Sequence, residues 1–110
     1  MEKFAFLFRG GLVTESPQEM QSNMQKWYSW VEKLRKEGTY VAGEPLSPGG
    51  RKISGTSKTV TDGPFTEAKD VIGGFFIVNA NSYEEAVEMA KDCPDYGHGG
   101  TVEVRQVMKM

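Results

Sequence analysis

The chain has 110 residues, which is enough for one domain (1–110) and too few for two. Thirteen basic and fifteen acidic residues give a net charge of -2, and no basic cluster interleaved with aromatic residues occurs, which argues against a nucleic-acid-binding protein. Apolar runs are short and the N-terminus has no signal-peptide pattern, so we expect a cytoplasmic protein without a membrane segment.

The first predicted element is a strand over residues 3–9. Phe4, Phe6 and Phe8 recur with period two, but the intervening Ala5 and Leu7 are also apolar. A strand that is apolar on both sides is typical of the interior of a sheet.

The second element is a helix that begins after Ser16. Ser16 precedes Pro17 and stands three positions before Glu19, an arrangement in which the serine caps the helix and the glutamate reaches back. Gly38 is expected to end this helix, because glycine readily adopts the left-handed backbone conformation found after helix C-termini. The predicted inward stripe is Met20, Met24, Trp27, Val31 and Leu34, with Tyr28 and Trp30 on its flanks.

Two weaker elements follow before the middle of the chain. Residues 39–46 predict a short strand that Pro45 restricts to the edge of a sheet. The polar stretch 51–61 predicts an irregular hairpin that contributes little to the core.

The remaining elements repeat the first pattern. Residues 74–78 are apolar on both sides and predict a second interior strand. Ser82 and Glu85 predict another capped helix, which Pro94 terminates, and residues 101–107 alternate as in an edge strand.

This order predicts an α+β fold of the ferredoxin-like type, βαββαβ with an extra hairpin, in which two helices cover one face of an antiparallel sheet. The opposite face would then expose one of the two apolar rows of the first strand. Exposed apolar patches of this kind mark interfaces, so we expect a homodimer packed sheet to sheet.

The run Asp62-Gly63-Pro64-Phe65 is the main functional candidate. Asp62 at a rigid turn is a possible general base or ligand acceptor, since partial desolvation would raise its pKa toward neutrality. The same residue types are also what a tight turn requires, so a purely structural role is the alternative.

Three further groups of charged or titratable residues are candidates. Glu67 and Lys69 either form a solvated pair or leave Lys69 to bind an anion, and Glu103 and Arg105 either line an interior or decorate an edge. His98 is either a proton shuttle or a plain surface residue.

A metal site and a reactive cysteine are not expected. One Cys and one His cannot supply the ligands of a zinc site. Cys93, at the C-terminal end of a helix, should have a raised pKa because of the helix dipole.

The chain resembles the YCII-related family, in the branch named for its Asp-Gly-Pro-Phe motif. The resemblance covers nearly all of the chain and is carried by Phe6-Leu7-Phe8-Arg9-Gly10-Gly11, Met24-Gln25-Lys26-Trp27, Gly43-Glu44-Pro45-Leu46, Val60 to Gly74, Cys93-Pro94 and residues 98–105. It implies a dimeric α+β barrel made from two ferredoxin-like sheets.

The resemblance implies less about chemistry. Some relatives use a His-Asp pair with the histidine in or near the first helix, where this chain has none, so those roles are not carried over. Other relatives with this motif occur near extracytoplasmic-function sigma factors, which implies a regulatory alternative.

The resulting hypothesis is a homodimer with a pocket between the sheet and the helices or at the subunit junction. This pocket binds a small polar molecule without a cofactor or metal, for acid-base chemistry at Asp62. The alternatives are a non-catalytic regulatory or ligand-sensing module and a purely structural dimer. The catalytic candidates are Asp62 and His98. The ligand-binding candidates are Arg9, Trp30, Pro64, Phe65, Glu67, Lys69, Glu103 and Arg105.

Overall fold

The computed structural model describes residues 1–63 and 70–110. A short 3-10 turn, Tyr96–His98, precedes the last strand. The strands and helices, in chain order, are β1 (Glu2–Arg9), α1 (Pro17–Lys36), β2 (Tyr40–Pro45), β3 (Arg51–Ser54), β4 (Thr59–Asp62), β5 (Ile72–Ala80), α2 (Tyr83–Ala90) and β6 (Thr101–Gln106).

Four strands form one antiparallel sheet in the order β2-β5-β1-β6, while β3 and β4 pair as a separate hairpin. The two strands that are apolar on both sides, β1 and β5, are the central ones, and β2, which contains Pro45, is at an edge. With α1 and α2 packed on the sheet, this is the ferredoxin-like α+β fold predicted from the pattern.

Both helices begin at the serines predicted to cap them. The Oγ of Ser16 accepts a hydrogen bond from the Glu19 amide at 3.3 Å, and the Oγ of Ser82 accepts one from the Glu85 amide at 3.2 Å. The Glu19 side chain does not accept directly from the Ser16 backbone amide, as a capping box would require. Instead, Glu19 Oε2 accepts a hydrogen bond from the Thr14 hydroxyl, and Thr14 Oγ1 in turn accepts one from the Ser16 amide. The backbone amide of Ser16 therefore finds its hydrogen-bond partner in Thr14.

The core lies between the helices and the row Phe4, Phe6 and Phe8, which are all buried. The inward face of α1 differs from the predicted stripe. Trp30 and Leu34 are buried at its centre, whereas the predicted Met20 and Met24 are 49% and 47% exposed. Trp30 stacks on Phe6 with ring centroids 6.2 Å apart and meets Phe8 edge to face, so aromatic packing turns the helix toward residue 30.

The opposite face of the sheet has no helix among the described residues. Ala5 and Leu7 of β1 lie there beside Phe75 and Ile77 of β5, their partners in register, and all four are only partly buried. We call this surface the open face. The row of β1 that was expected to remain uncovered is therefore the Ala5 and Leu7 row.

No helix among the described residues is long and apolar enough to cross a membrane.

Candidate functional site

A cavity of about 460 Å³ lies between α1 and the part of the sheet formed by β2, β5 and the end of β1. Its walls are aromatic: Phe8, Trp27, Tyr28, Tyr40 and Phe76. We call it the aromatic groove. A mostly apolar cavity with a few polar groups is the usual form of a small-molecule site.

Another depression, of about 640 Å³, lies on the outer surface of α1 between Tyr28 and Glu37. All of its lining side chains come from that helix and its C-cap residue, Glu37, so it cannot enclose a ligand. The aromatic groove is the better candidate although it is smaller.

The walls of the groove are held by edge-to-face contacts between rings. Phe76 meets Tyr40 at a centroid distance of 5.3 Å and an interplanar angle of 81°, and meets Trp27 at 5.8 Å and 89°. Trp27 also meets Phe8 at 4.8 Å. Because Phe8, Trp27, Tyr40 and Phe76 pack against one another, these walls are formed before any ligand enters.

A glycine makes this ring packing possible. A Cβ added to Gly43 would lie 2.5 Å from Cδ1 of Phe76 and 2.7 Å from the Tyr40 hydroxyl oxygen. Any side chain at position 43 would displace the two rings, so glycine there is required by a close approach. The segments Gly43-Glu44-Pro45 and Gly73 both line the groove.

Four polar side chains reach the lining: Asn23, Arg35, Glu44 and Asp95. The amide oxygen of Asn23 is buried and has no hydrogen-bond partner among the described residues. A buried acceptor without a partner costs about 1–3 kcal/mol. The guanidinium of Arg35 lies over the Tyr40 ring, 5.2 Å from its centroid.

Asp95 is paired with the only histidine of the chain. Oδ1 of Asp95 lies 3.3 Å from Nδ1 of His98, and the two side chains are 16% and 35% exposed. The turn Tyr96–His98 brings them together, and Gly11 (φ 102°) leaves space for the carboxylate, since a Cβ there would lie 2.7 Å from Oδ2 of Asp95. A carboxylate bound to one ring nitrogen fixes the tautomer of a histidine and supports proton exchange at the other.

This pair was missed in the sequence. The expectation for His98 was either a proton shuttle or a plain surface residue without a partner nearby in the sequence, and Asp95, three positions earlier, corrects the second of these. The spacing of three residues between Asp95 and His98, combined with the glycines that follow, is the signal that would have found it.

Asp62 lies elsewhere. It is the last residue of β4, and its Oδ1 is 2.9 Å from Nη1 of Arg51 on the paired strand. The two side chains are 80% and 68% exposed, and Asp62 does not line the groove. The desolvation that a general base at this position would need is not present in the single chain.

Arg9, Glu103 and Arg105 come together at the β6 side of the open face. Nη1 of Arg9 lies 2.6 Å from Oε1 of Glu103, and Nη1 of Arg105 lies 3.4 Å from Oε2 of the same carboxylate. The hydrogen bond from Arg9 holds the pKa of Glu103 below its usual value. In register, Glu103 is opposite Leu7 and Arg105 is opposite Ala5, so the cluster is on the face opposite the groove.

Trp30 belongs to the core and does not line the groove. It is 4% exposed, and its Nε1 has no hydrogen-bond partner among the described residues. The four remaining ligand-binding candidates lie outside the described residues: Pro64, Phe65, Glu67 and Lys69.

Burial raises the pKa of the Cys93 thiol to about 11. The direction of this pKa shift agrees with the sequence-based expectation, and its largest cause is desolvation by burial. In residues 1–63 and 70–110, no three His, Cys, Asp or Glu side chains come close enough to hold a metal ion.

The fold and the groove define the class of protein: a ferredoxin-like α+β domain with a preformed cavity between its first helix and its sheet. A family-model comparison then identifies the family. The YCII-related domain matches residues 5–110, and the chain belongs to this family. No curated protein matches the sequence.

One solved structure with the same fold is 5-chloro-2-hydroxyhydroquinone dehydrochlorinase from Burkholderia phenoliruptrix. The alignment has a TM-score of 0.51 and 18% sequence identity, and it covers 98% of this chain and 95% of the other. At that identity the likeness concerns the fold.

Proposed function

We propose that this protein binds a small planar molecule with polar edges in the aromatic groove. The observation that supports this most directly is the buried amide oxygen of Asn23, in the lining of a preformed cavity, for which residues 1–63 and 70–110 offer no hydrogen-bond partner. Such an atom destabilises the free protein, and a hydroxyl or N–H of a ligand would satisfy it.

The remaining lining supports the same class of ligand. Aromatic walls stack on a flat ring, and Arg35 and Asp95 offer opposite charges. Asn23 and Arg35 lie twelve positions apart on α1, which is about 18 Å along the helix axis. A single ring therefore fills part of the groove, and a longer molecule would reach Arg35 as well.

The distant structural neighbour suggests the first probe. Its structure is described as a complex with 2,5-dihydroxybenzoquinone, a flat ring with polar edges. Because the two sequences are only 18% identical, this supports the choice of a compound to test and not the assignment of a substrate.

If the bound molecule is transformed, we propose that His98 and Asp95 act as the acid-base pair. Asp95 lines the groove and would exchange the proton with the bound molecule, whereas His98 does not line the groove and contacts Oδ1 of Asp95 through Nδ1. The earlier hypothesis centred on Asp62 has less support, because that carboxylate is solvated and paired with Arg51.

Isothermal titration calorimetry with 2,5-dihydroxybenzoquinone and a panel of hydroxylated aromatic acids tests the binding proposal. We expect saturable binding of at least one compound by the wild-type protein. Asn23→Leu should weaken it at least about tenfold, since one buried hydrogen bond is lost. The same substitution should leave the melting temperature unchanged or raise it, because it removes a buried acceptor that has no partner in the described part of the chain.

Matched variants separate binding from general damage. Gln21→Leu, an exposed position on the same helix, should not change affinity. Asp95→Asn should weaken binding, whereas Asp62→Asn should not. Absence of binding across the panel, or wild-type affinity in Asn23→Leu, would contradict the proposal.

We also propose that the chain forms a homodimer through the open face. The folded chain exposes 7871 Å², whereas a compact monomer of 12.2 kDa is expected to expose about 6,100 Å². The excess of about 1,800 Å² is within the range that an obligate dimer buries on each partner. The regulatory alternative with a sigma factor stays a prediction.

A further inference from the structure

The hairpin formed by β3 and β4 has one apolar face and one polar face. Ile53 and Val60 are directly opposite each other and are 66% and 57% exposed. On the same face, one step further along the strands, Arg51 and Asp62 form their ion pair. The other face is polar throughout and consists of Lys52, Ser54, Thr59 and Thr61. We call residues 51–62 the arm.

The arm has little to stabilise it within one chain. Every residue of both strands is exposed, and among the described residues the two strands pair only with each other. An isolated two-stranded hairpin is marginally stable in water, and a hydrophobic face needs a surface to pack against. The ion pair between two largely exposed side chains adds little.

The shape of the chain agrees with an arm that extends from the body. The radius of gyration is 15.5 Å, compared with about 13 Å expected for a compact domain of this length. The molecule measures 45 × 43 × 18 Å, so it is flat, which agrees with its large exposed surface of 7871 Å². Both the arm and the open face thus present apolar surface that the described residues of one chain leave uncovered.

We propose that the arm packs on a second copy of this chain, with Ile53 and Val60 buried in the interface and the Arg51–Asp62 pair at its rim. This rests on the homodimer proposed above. In that arrangement Asp62, from the most recognisable motif of the sequence, holds the register of a dimerisation arm.

A second copy is the occupant that the surface area favours. A two-fold contact buries the same patch on both partners, so one interface can cover two arms and two open faces together. The excess of about 1,800 Å² per chain is more than the roughly 800 Å² per partner of a standard-size protein–protein interface. A small ligand could cover only a minor part of it.

Sedimentation velocity over a wide range of protein concentrations tests the proposal with two matched double variants. The double substitution Ile53→Lys and Val60→Lys places two charges on the apolar face of the arm. The control, Ser54→Lys and Thr59→Lys, places the same charges on the polar face of the same strands, at positions that also pair in register.

We expect the wild-type protein and the control to sediment as dimers, with twice the 12.2 kDa mass of the chain. The apolar-face variant should dimerise at least about a hundredfold more weakly, because two aliphatic side chains lose their burial. Its circular dichroism and the burial of Trp30 should match the wild type, since the arm contributes nothing to the core.

The outcomes distinguish this proposal from the one on which it rests. A wild-type protein that is monomeric at all concentrations would overturn the dimer and the arm contact together. A wild-type dimer whose strength is the same in both double variants would overturn the arm contact alone.

Amide hydrogen exchange of the wild-type protein provides a test that needs no variant. The amides of β3 and β4 should be protected at high protein concentration and lose protection on dilution into the monomer. Protection that does not depend on concentration would show that the arm packs on its own chain, and would overturn the proposal.

Discussion

The two faces of the central sheet are built from alternate residues of the same strands, yet they differ in burial. Toward the helices, Phe6 and Val78 are fully buried. On the open face, their neighbours Leu7 and Ile77 are partly exposed. The apolar pattern alone does not distinguish the two rows. Burial within one chain requires a second layer, and the two helices supply that layer on one side only.

The largest expected effect comes from removing a side chain on the covered face. Phe6→Ala should lower the free energy of unfolding by about 3–5 kcal/mol, because it leaves a cavity beneath Trp30. Leu7→Ala, one residue away on the open face, should lower the free energy of unfolding of the dilute monomer by less than Phe6→Ala does. In the dimer, the loss caused by Leu7→Ala should be larger than in the monomer. Urea denaturation at low and high protein concentration measures both.

The two mutants separate burial within a chain from burial between chains. The cost of Phe6→Ala should be independent of protein concentration, whereas that of Leu7→Ala should rise with it. An equal, concentration-independent cost at the two positions would mean that the open face is covered within the chain, and would remove this contrast.

The reactivity of the Cys93 thiol tests whether the helix-covered side of the sheet is closed to solvent. Because burial raises its pKa to about 11, only about one thiol in a thousand is ionised at pH 8, compared with about a quarter of free thiols. We expect the native protein to react with a disulfide reagent far more slowly than an unfolded control in urea. Reaction of the folded protein at the rate of a free thiol would contradict the burial of this side.

Much of the fold follows from local patterns. The strands β1 and β5 were predicted to be central because they are apolar on both sides, and Ser16 and Ser82 mark the helix starts because their hydroxyls accept from free amides. The position of Trp30 at the centre of the buried face of α1 was not predicted. Helical periodicity does not reveal which rings of the sheet lie opposite the helix, and Phe6 stacks on Trp30.

The groove lies between a helix and the sheet, one of the two places where a pocket was expected, but its lining could not be predicted because it depends on contacts between distant segments. Gly43 admits the rings of Tyr40 and Phe76, and position 76 lies on another strand. Asp95 meets His98 through a single 3-10 turn, and Gly10 and Asn23 reach the same cavity from two further segments. The segments around Gly10, Trp27 and Gly43, which are individually weak signals, contribute to its lining together with Gly73, which belongs to the highly specific run Val60 to Gly74.

The smallest expected effect concerns the charged edge of the open face. The hydrogen bond from Arg9 lowers the pKa of Glu103 below its ordinary value of 4.5, so at mildly acidic pH the folded chain binds fewer protons at this carboxylate than the unfolded chain. The stabilisation is complete above the unfolded pKa and is lost as the pH falls through the folded one. Urea midpoints measured from neutral pH down to about pH 3 should therefore fall less steeply in Glu103→Gln than in the wild type.

The difference in pH dependence between the wild type and Glu103→Gln should also depend on dimer formation. In the single chain the Glu103 side chain is 41% exposed, so solvent screens its contact with Arg9. Covering the open face with a second copy would remove that screening, and the pH-dependent difference between wild type and Glu103→Gln should then increase with protein concentration. A difference that is the same at all concentrations would place this edge outside the interface, and would confine the dimer contact to the apolar centre of the open face and the arm.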